Sequence, residues 1–286
     1  EVGFRKVLKD MGFALTYTEM VSAKALIYDS KRTQDLLITE ENEKPKAVQI
    51  FGHEPDVMAE VCKSGMLDKF DIIDINMGCP APKIVKNGDG SFLLNDIKLA
   101  SKIVSSCVES TNKPITVKMR LGYNDEFVAR EFAKSFEDVG AKAITVHGRT
   151  KNQMYSGLAD YDKIRMVKES VNIPIIANGD VKDLDSYNKI KKETNCDFVM
   201  IGRASVGNPF VFSKILGVPI TKTKKEVVLE HIRVLQKYYS DRYIVLNMRK
   251  HIASYMKNEN MSQQQKLKAM TIENLSQLID YCKEIF

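Results

Sequence analysis

The sequence predicts a parallel (β/α)8 barrel, the TIM-barrel architecture, followed by an all-helical domain, and three observations carry that prediction. Over the first three quarters of the chain, short β-rich apolar segments alternate with amphipathic helical stretches. That rhythm means βαβ units in a parallel sheet, with apolar strands buried on both faces. Nearly every strand-like segment also ends in a polar or glycine-rich cluster. In a barrel those ends converge on one mouth, whereas a dinucleotide-binding sheet concentrates its signature in one early GxGxxG turn, and the sequence has none. After Gly217 the alternation stops and only helix-period patterns remain.

Taken in order, the strand-like segments are 15–19, 47–51, 72–76, 115–120, 143–147, 174–178 and 198–202. Helical patterns such as 125–139 and 182–193 lie between them. A closed barrel needs eight strands and these are seven; the chain opens at Glu1 directly in a helix-like stretch, 3–11, so strand one is expected upstream. A seven-stranded open sheet would leave two edges exposed, which is costly. Beyond a connector at 219–225, helices are expected at 225–239, 244–258 and 262–285, with Val228, Ile232 and Leu235 on one apolar stripe. The domains are accordingly 1–216, a barrel, and 217–286, a helical unit.

Composition narrows the function classes. With 44% hydrophobic and 28% charged residues among 286, the chain is not disordered. No apolar run approaches the ~20 residues that span a bilayer. No signal-peptide pattern opens the chain, so a cytoplasmic, membrane-free monomer is expected. The cysteines at 62, 79, 107, 196 and 282 show no CxxC or Cys/His ligand spacing, which argues against a zinc site and a disulfide framework, and no metal is expected. Of the net charge of +6, residues 217–286 carry +5, as a surface that meets a polyanion would.

The sharpest chemical signal is Asn76-Met77-Gly78-Cys79-Pro80-Ala81-Pro82 at the end of the third strand-like segment. A proline-stiffened loop there can hold a thiol over a ligand at the barrel mouth. A thiol with an ordinary pKa of about 8.5 stays protonated at neutral pH and can act as a general acid. The competing reading of Cys79 is a small buried apolar residue. Lys118 stands as an isolated cation between Val117 and Met119, expensive to bury unless it meets an anion. Asn178-Gly179-Asp180 and Gly202-Arg203 follow the strands whose loops hold phosphate in barrels.

The run NMGCPAPKIVKNGDGSFLL resembles the signature of the dihydrouridine synthase family, and most closely its bacterial B subfamily. TEMVSAKAL at 18–26, QIFG at 49–52, TVKMRLG at 116–122, TVHGRT at 145–150, ANGD at 177–180 and MIGRASVGNPF at 200–210 follow in the family's order. Arg249-Lys250-His251 and Tyr255 extend the likeness into the tail, while the family's first strand has no counterpart among these residues. The resemblance implies FMN-dependent reduction of uridine to 5,6-dihydrouridine in tRNA, the D-loop first, with NADPH as reductant. It implies that Cys79 protonates C5 after hydride reaches C6, and that Asn76 pairs with the uracil edge. Gln49, Lys118 and His147 are then expected at the flavin ring, with Asn178, Gly179, Asp180, Gly202 and Arg203 at its phosphate. Arg149 is expected on the exposed side, meeting substrate, as uracil or RNA, or the flavin phosphate. In the tail, Arg249, Lys250, His251 and a stacking Tyr255 are expected to hold RNA. Ribosomal RNA as substrate, a flavin barrel acting on a free pyrimidine, and an RNA-binding module on a degenerate barrel are the alternatives.

Overall fold

Seven parallel strands form one curled sheet in sequence order: β1 (Thr16–Ser22), β2 (Lys46–Phe51), β3 (Ile72–Met77), β4 (Ile115–Arg120), β5 (Ala143–His147), β6 (Ile175–Asn178) and β7 (Phe198–Met200). The computed structural model describes residues 1–12, 14–257, 259 and 261–286, with the side chains of all but 31 and 32. Every predicted strand is present within a few residues of its expected bounds. The helices between strands cover the outer face of the sheet, as right-handed βαβ crossovers require.

The strands differ from the expectation of apolar burial on both faces. Successive residues point to opposite sides of a strand; one side here is apolar, and the other mixes polar groups with Ile72, Ala143 and Ile176. Ile73, Ile75, Met77, Val117, Met119, Ile144, Val146, Ile175 and Ala177 belong to one buried cluster shared with the surrounding helices. Among the alternate positions, Asp74, Asn76, Thr116, Lys118, Arg120, Thr145 and His147 are polar or charged. They face the lumen, where a large cavity runs through the sheet.

Helix starts follow ordinary capping chemistry. Asp96 accepts from the Leu99 amide at the start of Ile97–Ser110, and Asp183 and Ser186 form a capping box before Leu184–Thr194. In the tail, Thr223 and Glu226 cap Lys224–Gln236, and Asp241–Tyr255 follows. The single helix expected over 262–285 is instead two, Gln263–Thr271 and Leu275–Ile285. The cause is Asn274, whose side chain accepts from the Gln277 amide and so opens a second helix. The predicted end of the preceding helix, Asn258, lies outside the described residues.

A second core joins the tail to the start of the chain. Val2, Val7, Leu8 and Met11, from the helix Val2–Asp10 and its end, pack with Val228, Ile232, Leu235, Met248, Ile252 and Tyr255. Phe212, in the helix Phe210–Leu216 just before the expected boundary, is in the same cluster. Among the described residues no helix is long and apolar enough to cross a membrane.

Gly207 is where the loop after β7 meets the tail. Its φ is +77°, and a Cβ there would lie 2.1 Å from the carbonyl oxygen of Ser254. Gly207→Ala is therefore expected to lower stability by about 1–3 kcal/mol in urea denaturation.

Candidate active site

The C-terminal ends of β2 to β7 surround one mouth of a cavity of about 1810 Å³. Its wall includes Gln49, Asn76, Cys79, Lys118, His147, Asn178, Asp180 and Arg203. The strand register explains the convergence: Asn76 lies opposite Lys118, Arg120 opposite His147, and His147 opposite Asn178.

A chain of side-chain hydrogen bonds sets the cysteine loop. Asp74, fully buried, accepts from Thr116 Oγ1 at 2.6 Å and from Gln49 Nε2 at 2.7 Å. Gln49 Oε1 accepts from Asn76 Nδ2 at 2.7 Å. Asn76 Oδ1 then accepts from the amides of Gly78 and Cys79, at 3.1 and 2.9 Å. On the far side, the Cys79 carbonyl accepts from the amide and hydroxyl of Ser91. Gly90 makes that closure possible: its φ is +62°, and a Cβ would come within 2.9 Å of the Cys79 oxygen. Cys79 is thus pinned from both sides with its thiol at the cavity wall.

The electrostatics of the lumen are set by burial. Burial raises the Asp74 carboxyl above its ordinary value, against the pull of Thr116, Gln49 and Lys118. Burial also pushes Lys118 down to about 8, with Asp74 opposing and Arg120 adding to the fall. Water in the cavity can touch Lys118, yet protein encloses it, and among the described residues no side chain or carbonyl accepts from its Nζ. His147 is driven down to about 2, first by burial and then by Lys118, Arg120, Arg149 and Arg203. It is therefore a neutral imidazole; because its Nε2 sits 3.4 Å from the Arg149 guanidinium, the ring proton belongs on Nδ1.

Arg149 corrects the expectation of an exposed, substrate-facing residue. It is only 2% exposed. Its Nη2 donates to both Asp180 oxygens at 2.8 Å and to the Gly157 carbonyl, and its Nε donates to the Ser156 carbonyl. All of its donors are turned inward, so it braces the loop after β5 against the loop after β6. Asp180 is likewise occupied, holding Arg149 and the Ala159 amide. Those two donors outweigh burial and keep its carboxyl below the ordinary value. Asn178 donates to the Met200 carbonyl at 2.8 Å. Gly202 and Arg203 are exposed at the mouth, with the Arg203 guanidinium 4.7 Å from the centre of the Tyr155 ring.

The tail residues divide. Lys250 is exposed. Arg249 is half-buried and donates to the Ile272 carbonyl at 2.9 Å. His251 and Tyr255 are inside the helical core, Tyr255 with its hydroxyl 3.1 Å from His231 Nδ1. A buried ring offers no face to a base, so the expected stacking by Tyr255 and contact by His251 do not fit this fold.

Sequence reasoning missed Asp74 and Arg120. Arg120 is 2% exposed and donates to the carbonyls of Gly78, Thr150 and Met154, tying the cysteine loop to the loop after β5. Both residues were within reach of strand alternation, since Asp74 shares a face with Asn76 and Arg120 with Lys118.

Three comparisons bear on the chain. The family model described as "Dihydrouridine synthase (Dus)" matches residues 1–285. A relative named "Probable tRNA-dihydrouridine synthase", from Rickettsia conorii, is 38% identical over 266 residues, covering 89% of this chain and 80% of that protein. "tRNA-dihydrouridine synthase B" from Pectobacterium carotovorum is 35% identical over 294 residues, covering 99% of this chain and 91% of its own. Among solved structures, histamine dehydrogenase from Rhizobium sp. 4-9 superposes with a TM-score of 0.59 at 11% identity. That match spans 99% of this chain and 59% of the other, so the likeness is one of barrel fold.

Two outcomes follow from the lumen. Asp74→Asn places an amide where two donors converge, and should cost about 1–3 kcal/mol of stability in chemical denaturation while loosening the cysteine loop. Below the ordinary histidine value of about 6.5, the unfolded chain binds a proton that folded His147 refuses down to about 2. Stability should therefore fall as pH drops below about 6.5, and His147→Gln should flatten that slope in acid-titration melts.

Proposed function

The chain belongs to the dihydrouridine synthase family, and we propose that it reduces uridine to 5,6-dihydrouridine in tRNA using bound FMN. The observation that carries this reading is the pairing of a pinned Cys79 with an enclosed Lys118 that has no acceptor, across one cavity mouth. Asp74 offsets part of the Lys118 charge, but an enclosed donor without an acceptor favours a ligand that brings one. A flavin ring supplies it, so the residues present fit the cofactor.

In this reading Lys118 and the neutral His147 hold the flavin ring, with the remaining amide hydrogen of Gln49. The backbone of 178–180 and of 202–203 holds the phosphate, aided by the exposed Arg203; Asp180 serves by fixing Arg149 rather than by contact. When bound, the flavin supplies a hydride to uracil C6. Negative charge then spreads from C5 toward the O4 oxygen, and Cys79 gives its thiol proton to C5 from the opposite face. Asn76 uses its carbonyl to position Cys79 and keeps one amide hydrogen for the uracil edge. NADPH is proposed as the reductant and the tRNA D-loop as the target, and the chain acts as a monomer.

Uracil reaches such a site only when it leaves its stack, so the RNA around it must be held. Residues 217–286, with most of the net positive charge, are proposed to do this, through Lys250 and the half-buried Arg249 at their surface. His251 and Tyr255 would support that surface from beneath.

Incubation of the purified protein with unmodified tRNA and NADPH, followed by detection of dihydrouridine, tests the assignment. A yellow protein that forms product only with RNA supports it; product from free uridine alone would reassign it to a pyrimidine reductase. Cys79→Ala should keep its flavin absorbance and lose about 10²–10⁴-fold in turnover, the span of a general acid.

A further inference from the structure

Where the second core borders the cavity, three side chains of metal-binding type meet. Glu1 immediately precedes the helix Val2–Asp10, His231 lies in Lys224–Gln236 and His251 in Asp241–Tyr255. Their ligand atoms all lie within 4.8 Å of one another. Glu1 Oε2 is 2.7 Å from His251 Nε2, while Oε1 meets His231 Nε2. His231 is wholly buried and His251 nearly so. Phe4 flanks both rings.

Charge makes this cluster more than a set of hydrogen bonds. A buried carboxylate needs an opposite charge nearby. The cationic side chains at this end of the first helix are committed elsewhere: Arg5 to Glu19 and Glu43, and Lys6 to Asp10. Among the described residues no lysine or arginine pairs with Glu1, whose side chain meets the two imidazoles and, as helix cap, the uncharged Phe4 amide at 3.0 Å. Neutral imidazoles satisfy its lone pairs but bring no charge. Either a proton converts one ring to a cation, or a metal ion sits between all three.

We infer that Glu1, His231 and His251 form a site for a divalent ion of the zinc class that clamps the first helix to the tail. Two histidines and one carboxylate are a known tetrahedral donor set for zinc, with water in the fourth position. Metal–ligand bonds of about 2 Å would set the donors about 3.3 Å apart, between the 2.7 Å from Glu1 Oε2 to His251 Nε2 and the 4.8 Å within which all of them lie. The Tyr255 hydroxyl at 3.1 Å can accept from His231 Nδ1–H and so fix the tautomer that presents Nε2 to the ion. His251 Nδ1 is buried without a partner with or without a metal and does not separate the two cases. Sequence spacing conceals the site, because its members come from opposite ends of the chain.

The test is metal titration of the intact chain. Cobalt(II) added to chelator-treated protein should give the visible absorption of a tetrahedral site at one equivalent, and zinc should raise the melting temperature. Glu1→Gln and His251→Ala should each weaken metal affinity at least tenfold while remaining folded by circular dichroism. A folded parent protein with no cobalt band and no zinc-dependent melting shift would overturn the inference and leave a proton as the counter-charge. Metal binding that both variants retain unchanged would also overturn it, by placing the metal elsewhere.

Discussion

Asp74 is a carboxylate held in the lumen of the barrel beyond the reach of water, and the geometry of the mouth hangs from it. Such a group is tolerable only if donors converge on it. Thr116 and Gln49 do so, and Lys118 lies near enough to be felt electrostatically. Because Gln49 is committed to Asp74, its oxygen is oriented toward Asn76, and Asn76 is oriented toward the amides of the cysteine loop. A charge at the centre of the fold thereby fixes a thiol at its edge through four side chains, three of them amide or carboxylate groups with little rotational freedom once paired.

Two buried arginines extend this rigidity across the mouth. Arg120 joins the cysteine loop to the loop after β5, and Arg149 joins that loop to the turn after β6. Planar guanidinium groups with several fixed donors suit such bracing better than lysine would. The consequence is a division of labour: Arg120, Arg149 and Asp74 spend their hydrogen bonds on the scaffold, while Lys118, Cys79 and Arg203 are left to meet ligands. The same loops that a barrel leaves free for chemistry are here stiffened before any ligand arrives, which suits a reaction that needs two faces of a small ring held in order.

The barrel was legible because its strands are apolar and regularly spaced, and the mouth because each strand closes on a polar cluster. What strand content alone obscured was the lumen. Reading Ile72-Ile73-Asp74-Ile75-Asn76 as a buried run hides that Asp74 and Asn76 point the opposite way from Ile73 and Ile75. Arg149 was misjudged because a charged residue two positions past a strand looks exposed, and nothing local reveals that Asp180, 31 residues on, will fold back to meet it. Tyr255 and His251 were misjudged for a related reason. A polar or aromatic residue in a basic helix fits a surface role, unless a distant partner such as His231 or Glu1 draws it inward. The split at Asn274 was visible in the sequence as a helix-capping residue and was overridden by the length of the pattern around it.

The most direct test of the account is the reoxidation of flavin in the reduced, oxygen-free protein on mixing with unmodified tRNA, followed by stopped-flow absorbance. Reoxidation is expected to be rapid with tRNA and slow with free uridine, and about 10²–10⁴-fold slower in a Cys79→Ala variant that binds both cofactor and RNA, because C6 returns its hydride when C5 is not protonated. Reoxidation of that variant at the parent rate, or equal rates with tRNA and free uridine, would contradict the account.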